Sequence, residues 1–204
     1  MDWDYEKFAQ EFECAWLGSS GTLISGAVLK TLTALRPLSS TDGLTTYVLP
    51  EKDHRYVMTC DVSHGKGLDY SAFQVIDVTQ MPYNQVCVYK SNVTPPAEYT
   101  QTIHQTSIQY NNATILVEIN DIGQTVADAL YIDYESDNLI FTEKAGPKGK
   151  RISAGFNKNA ERGLKQTAIT KTVGCSLLKL LIEQYQLIIN DHDTIYELSR
   201  FSKK

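Results

Sequence analysis

The chain has 204 residues, a net charge of −5, 42% hydrophobic residues and 21% charged residues. That is enough for one domain with a sizeable core, and the composition excludes disordered and fibrous classes. No apolar run approaches the roughly 20 residues of a membrane span, and Met1-Asp2-Trp3-Asp4-Tyr5-Glu6 lacks a signal peptide's basic start and apolar stretch, so a cytosolic protein with no membrane partner is expected.

Tyr5, Phe8, Phe12 and Trp16 recur at helical spacing, and Gly18-Ser19-Ser20-Gly21 then breaks the chain. Leu23, Ile24, Val28, Leu29, Leu32 and Leu35 suit a further helix or an extended segment, and Pro37 to Gly43 reads as a linker. Residues 1–50 are therefore expected to be a leader packed on a domain of residues 51–204. Strands are predicted at about 55–62, 71–78 and 85–89, separated by Gly65-Lys66-Gly67 and Pro82-Tyr83-Asn84, which makes an antiparallel meander. Pro95-Pro96 starts a helix with Tyr99, Ile103, Thr106 and Tyr110 on one face. A strand at about 114–119 is nearly all apolar, as expected of one buried on both faces. Asp121 can cap a helix whose inner face is Ile122, Val126, Ala129 and Leu130. A short strand at 139–142 leads into a basic, Gly-rich loop. Thr170 can cap a helix with Val173, Leu177, Leu180 and Leu181 inward, residues 187–189 are extended, and Thr194-x-x-Glu197 is a possible capping box for a last helix. The order β-β-β-α-β-α-β-α plus a terminal helix implies an α/β fold: a mixed sheet flanked by helices, the ribonuclease H-like layout.

Two acids stand out because each closes an apolar strand, where a buried charge is expensive unless compensated. Asp61 ends Tyr56-Val57-Met58-Thr59-Cys60-Asp61 and Glu118 ends Thr114-Ile115-Leu116-Val117-Glu118. Neighbouring strands would set them side by side, able to share one divalent cation or two. Mg²⁺ prefers carboxylate and water oxygens, and such ions activate water and neutralise phosphate oxygens in phosphodiester hydrolysis. Asp69, at the end of the turn after Asp61, is a third candidate, although Asp also favours turns for its own backbone chemistry. Asp77 is expected at the far edge of the sheet.

Other chemistries have no support. Cys14, Cys60, Cys87 and Cys175 form no C-x-x-C pair, and Cys60 and Cys87 fit as small buried hydrophobes. His54, His64, His104 and His192 lack ligand spacing, with His64 notable for lying near Asp61. There is no P-loop, so no ATPase is expected in this chain, and no G-x-S-x-G or H-E-x-x-H. Charge is uneven. From Lys144 to Lys171 eight basic residues face one acid, a net +7 that leaves −12 elsewhere. Such asymmetry suggests an anion-binding face on an acidic body.

Asp61-Val62-Ser63-His64-Gly65-Lys66-Gly67-Leu68-Asp69-Tyr70-Ser71 and Ile115-Leu116-Val117-Glu118-Ile119-Asn120 resemble the nuclease domain of the large terminase subunit of T-even-type tailed bacteriophages. Phe8-x-x-Glu11-Phe12-x-Cys14-x-x-x-Gly18-Ser19-Ser20-Gly21-Thr22-Leu23-Ile24 resembles the end of that subunit's ATPase region, and Thr170-Lys171-x-x-Gly174-Cys175-x-x-Leu178 also fits. The resemblance implies a Mg²⁺- or Mn²⁺-dependent endonuclease that cuts concatemeric double-stranded DNA. It implies as partners an N-terminal ATPase domain of the same polypeptide, a portal ring and a small terminase subunit, in the host cell cytoplasm. Asp61 and Glu118 match two of the family's three metal-binding acids. The third, an aspartate near the domain's end, has no match: Asp191 and Asp193 do not look like it, and it is expected beyond Lys204. On this reading Lys150, Arg151, Lys158, Arg162 and Lys165 line the DNA path, giving affinity without sequence information. The alternatives are a docking module that binds DNA or portal without cutting, and another ribonuclease H-like nuclease such as a junction resolvase.

Overall fold

The computed structural model describes residues 22–144, 150–155 and 159–202. The predicted helix at Tyr5–Trp16 and the basic residues Lys148 and Lys158 lie outside the described residues. The meander is present as β3 (Tyr56–Asp61), β4 (Ser71–Asp77) and β5 (Tyr83–Ser91). Helix α2 (Pro96–Gln109) follows, starting at the predicted proline pair, and leads to β6 (Thr114–Val117) and helix α3 (Gly123–Ile132). Strand β6 runs parallel to β3, as its α-helical crossover requires.

Two elements precede the meander that the sequence reading placed in the leader. A single helical turn, α1 (Gly26–Leu29), stands where a longer helix or extended segment was expected. The Pro/Ser/Gly linker contains a hairpin, β1 (Ser39–Thr41) and β2 (Leu44–Thr46), closed by Asp42 and Gly43, both at positive φ. Strand β2 pairs antiparallel with β5, so the sheet runs β1-β2-β5-β4-β3-β6. The chain ends with helix α4 (Ala168–Glu183), strand β10 (Leu187–Ile188) beside the start of β5, and helix α5 (His192–Arg200).

The basic stretch is not a plain loop. Strands β7 (Phe141–Lys144), β8 (Lys150–Ser153) and β9 (Glu161–Arg162) form a separate three-stranded antiparallel sheet in the order β8-β7-β9. Across the β7–β8 ladder Glu143 lies opposite Arg151, an opposite-charge pair that favours this over an irregular loop, while Lys144 lies opposite Lys150.

Side chains along β3 alternate in burial: Tyr56, Met58 and Cys60 are buried, Thr59 and Asp61 exposed. The buried set meets Phe73, Val75, Ile115, Val117 and the inner faces of α2 and α3 in the main core. Strand β6 is buried on that face only, with Thr114 exposed and Leu116 half-buried on the other, rather than on both faces as expected. A second, smaller core packs α1, α4, β10 and α5 together, with Ile76 and Tyr83 of the sheet against it. Cys60 and Cys87 are buried free thiols, as expected. No helix among the described residues is long and apolar enough to cross a membrane.

Candidate metal centre and nucleic-acid interface

The register of β3 and β6 sets the geometry of the two acids. Cys60 lies opposite Val117, and the Glu118 N–H donates to the Cys60 carbonyl at 2.8 Å. Asp61 and Glu118 therefore follow as the next adjacent positions. Because side chains alternate along a strand, both leave on the face opposite the main core, with Thr59 and Leu116. They line one groove together with Gln74, Leu164 and Gln166.

Strand β6 ends at Val117, one residue short of Glu118. The chain is held straight there by a segment from the far side of the basic sheet. The Leu164 N–H donates to the Val117 carbonyl at 2.8 Å, and the Ile119 N–H to the Leu164 carbonyl at 3.0 Å. Asn120 and Gln166 exchange two further bonds, 3.1 and 3.2 Å. Gln166 Nε2 then donates to Glu118 Oε2 at 2.8 Å. Two glycines permit this closeness. A Cβ at Gly123 would lie 1.9 Å from the Glu118 carbonyl oxygen, and one at Gly163, whose φ is +106°, would lie 2.4 Å from that of Val117.

The electrostatics match the geometry. Burial raises the Asp61 carboxyl above its ordinary range although the residue keeps an open edge to solvent; the Val62 N–H lowers it and the Asp69 charge adds to the rise. Burial also raises Glu118, the Asp61 charge raises it further, and the Lys171 ammonium pulls it back. Asp61 thus feels Asp69, and Glu118 feels Asp61. Carboxylates crowded in this way are a donor set suited to a divalent cation.

Asp61 also opens onto a larger cleft of about 830 Å³ that holds Asp69, His64, Lys66, Lys90 and the start of α5. Asp69 is exposed and close enough to act on Asp61. His64 Nε2 lies 2.8 Å from Asp121 Oδ2, tying the loop after Asp61 to the loop after Glu118. This role explains why Asp121 caps no helix: its φ is +50°, and α3 begins at Gly123 without a side-chain cap. Asp77 lies opposite Tyr56, at the other end of β3 from Asp61, and is 2.7 Å from His54 Nδ1.

Asp191 and Asp193 border the larger cleft as well, but Asp191 is engaged. It accepts from the Thr194 N–H and hydroxyl, at 2.7 and 2.8 Å, and from the Tyr47 hydroxyl at 2.6 Å. It is the N-cap of α5, one turn ahead of the predicted Thr194-x-x-Glu197 box. Among the described residues, no three His, Cys, Asp or Glu side chains converge as a ready ligand set.

The predicted DNA-contact residues separate into two groups. Lys150 pairs with Glu161, Arg151 with Glu143 at 2.7 Å and Arg162 with Asp128 at 2.6 Å. Arg162 also lies over the Tyr131 ring, 4.6 Å from its centroid. Lys165 is exposed beside Gln166. Two residues near the site escaped the sequence reading as site residues. Gln166 carried no signal, since its partner is 48 positions away. Lys171 stood in the basic run and in the Thr170-Lys171-x-x-Gly174 motif, but neither marks it as a site residue.

The family described as Terminase RNaseH-like domain matches residues 58–201. Among solved structures, the large terminase nuclease of thermophilic phage G20c with bound magnesium is 20% identical, with a TM-score of 0.65 over 90% of this chain and 82% of that one. The same nuclease with bound cobalt is 19% identical, with a TM-score of 0.65 over 90% and 82%. The Thermus phage P74-26 large terminase nuclease domain is 22% identical, with a TM-score of 0.59 over 85% and 75%. These likenesses bear out the α/β, ribonuclease H-like fold. The family match spans β3 to α5 and takes in both Asp61 and Glu118, and the chain belongs to the terminase ribonuclease H-like domain family.

Proposed function

We propose that this chain is the divalent-metal-dependent endonuclease domain of a viral DNA-packaging terminase, with Asp61 and Glu118 as metal ligands and Asp69 assisting. The observation that carries the reading is the pair itself: two carboxylates on one face, at the ends of hydrogen-bonded parallel strands, each raised by burial and by a neighbouring carboxylate. The large terminase nuclease of phage G20c, solved with magnesium and with cobalt, supports it by analogy of fold. When bound, Mg²⁺ or Mn²⁺ supplies a Lewis acid and an acidified water. The chain's own residues do the rest. Asp61 and Glu118 hold the ion. The Gln166 amide, bonded to Glu118 Oε2, fixes that carboxylate's orientation. The His64–Asp121 contact keeps the two ligand-bearing loops at a constant spacing. Asp69 adds negative charge at the open side of Asp61. A third carboxylate ligand is expected from outside the described residues.

On this reading the substrate is concatemeric double-stranded DNA, cut with little sequence preference. The partners are an ATPase domain, a portal ring and a small terminase subunit, and the setting is the host cell cytoplasm. The test is supercoiled-plasmid nicking with Mg²⁺ or Mn²⁺ by a polypeptide extended past Lys204, as wild type, Asp61→Ala and Glu118→Ala. Nicking by wild type that falls at least about 100-fold in both variants is expected, as for loss of a group worth about 2.7 kcal/mol to the transition state. Nicking that survives both substitutions refutes the site. A folded wild type that binds DNA without nicking selects the docking-module alternative.

A further inference from the structure

This inference rests on the nuclease reading and concerns which cations meet the DNA. The cations on β8 and β9 of the basic segment are already matched by carboxylates: Lys150 by Glu161, Arg151 by Glu143 and Arg162 by Asp128. A phosphate would have to compete with those pairs. Lys165 and Lys171 differ in three respects. Both are exposed. Neither joins any ion pair among the described residues. Both sit on a segment bolted to the end of β6, and they flank the Gln166 that donates to Glu118.

That segment is rigid for identifiable reasons. Leu164 is hydrogen-bonded on both sides of Glu118, and Gln166 is locked to Asn120. Immediately after it, Thr167 caps α4, accepting from the Thr170 N–H at 3.2 Å while the Thr167 N–H donates to Thr170 Oγ1 at 2.7 Å. The Lys171 N–H donates to the Thr167 carbonyl at 2.9 Å, which puts Lys171 in the first turn of the helix. The helix therefore starts directly after the Gln166–Glu118 bond, and its first turn presents Lys171 beside that junction. Exposed cations on both sides of it, in no ion pair among the described residues, suit phosphates next to the scissile one.

We propose that Lys165 and Lys171 are the DNA-phosphate contacts of this site and position the scissile strand over Asp61 and Glu118, while Lys150, Arg151 and Arg162 are engaged by carboxylates of the basic sheet and of α3. The competing role for Lys171 is a plain counter-charge to Glu118. The two differ in what they do to metal and to salt dependence. A phosphate contact releases counterions, and each contributes about 0.9 to the slope of log K against log salt on duplex DNA.

The experiment is anisotropy of a short fluorescent duplex over a range of NaCl without divalent metal, with Mn²⁺ binding titrated separately. Lys165→Gln/Lys171→Gln is expected to lower the slope by about 1.8, and Arg151→Gln, which is exposed and tolerates the change, to leave it unaltered. A slope lost in Arg151→Gln but kept in the double variant overturns the assignment. So does a Lys171→Gln protein whose slope is unchanged and whose Mn²⁺ affinity rises, which is the counter-charge result. Wild-type nicking with Mn²⁺ separates the two levels. A nicking wild type with unchanged slopes in the lysine variants overturns this inference alone. A folded wild type that neither nicks nor binds DNA overturns the nuclease reading and this inference with it.

Discussion

Asp61 and Glu118 show how much a single residue's surroundings decide. Their ordinary carboxyl values are 3.8 and 4.5, and both are raised in the folded chain, chiefly by burial. The folded state therefore favours the protonated form more than the unfolded chain does. Stability falls as pH rises through the ordinary values toward the raised ones, and the loss is complete above both. Asp61→Asn and Glu118→Gln remove it. Without metal, each variant should melt above wild type at pH 7, with the gap closing below about pH 4. Divalent metal should reverse the order, because it stabilises only a native state that keeps both ligands. Thermal melts with and without Mn²⁺ check this; a metal-free wild type that melts above both variants at pH 7 would remove the repulsion from the argument. These two acids could be read from sequence because a charge at the end of an apolar strand demands an explanation. Asp191 and Asp121 could not be placed that way. Each has a partner far off in sequence, Tyr47 for Asp191 and His64 for Asp121.

At the scale of elements, α4 departs most from its sequence pattern. Val173, Leu177 and Leu180 were expected inward, yet they are 54%, 55% and 47% exposed. Leu181 packs inward as expected, and the helix packs through Cys175, Leu178 and Ile182 beside it. The helix is apolar on more than one side, so periodicity alone does not select the face; the positions of Leu29 and Leu198 against it do. Val173→Gln and Leu177→Gln are therefore expected to stay within about 0.5 kcal/mol of wild type, whereas Ile182→Ala should lose about 2–5 kcal/mol. Denaturant unfolding measures both, and a loss above 2 kcal/mol at Val173 would put that face inside. The start of α4 moved for a local reason: Thr167 and Thr170 satisfy each other's backbone N–H, a reciprocal pair that the predicted single cap at Thr170 misses. In the small sheet of the basic stretch, Lys150 and Arg151 meet acids from other strands, Glu161 and Glu143, which their places along the sequence do not reveal.

The whole molecule is two cores meeting across one sheet. Ile115 belongs to the main core between the acid-bearing strands, and Ile24 to the smaller one under α4 and α5. Both are fully buried, so Ile115→Ala and Ile24→Ala should each cost about 2–5 kcal/mol. Their effects on the site should differ. Ile115 pairs with Met58 across the β3–β6 ladder, and its loss should weaken Mn²⁺ binding through the spacing of Asp61 and Glu118. Ile24→Ala should leave that affinity unchanged, since distant sites in separate clusters act independently. Calorimetric titration of each folded variant tests the division; equal losses of affinity would mean the cores are not independent.

The order of strands and helices from Tyr56 to Ile132 and the two acids at strand ends were determined by the sequence itself, because alternation, a proline pair and charges in apolar runs are local signals. What the tertiary structure alone decided is pairing at a distance. It put Glu118 level with Asp61 by the register of β3 and β6. It laid Leu164–Gln166 against the end of β6 so that Gln166 reaches Glu118. It added the β1–β2 hairpin to the edge of β5, and it matched three of the basic run's cations with acids of the same small sheet or of α3. None of these follows from spacing along the chain, since each depends on which surfaces the two cores bury against one another.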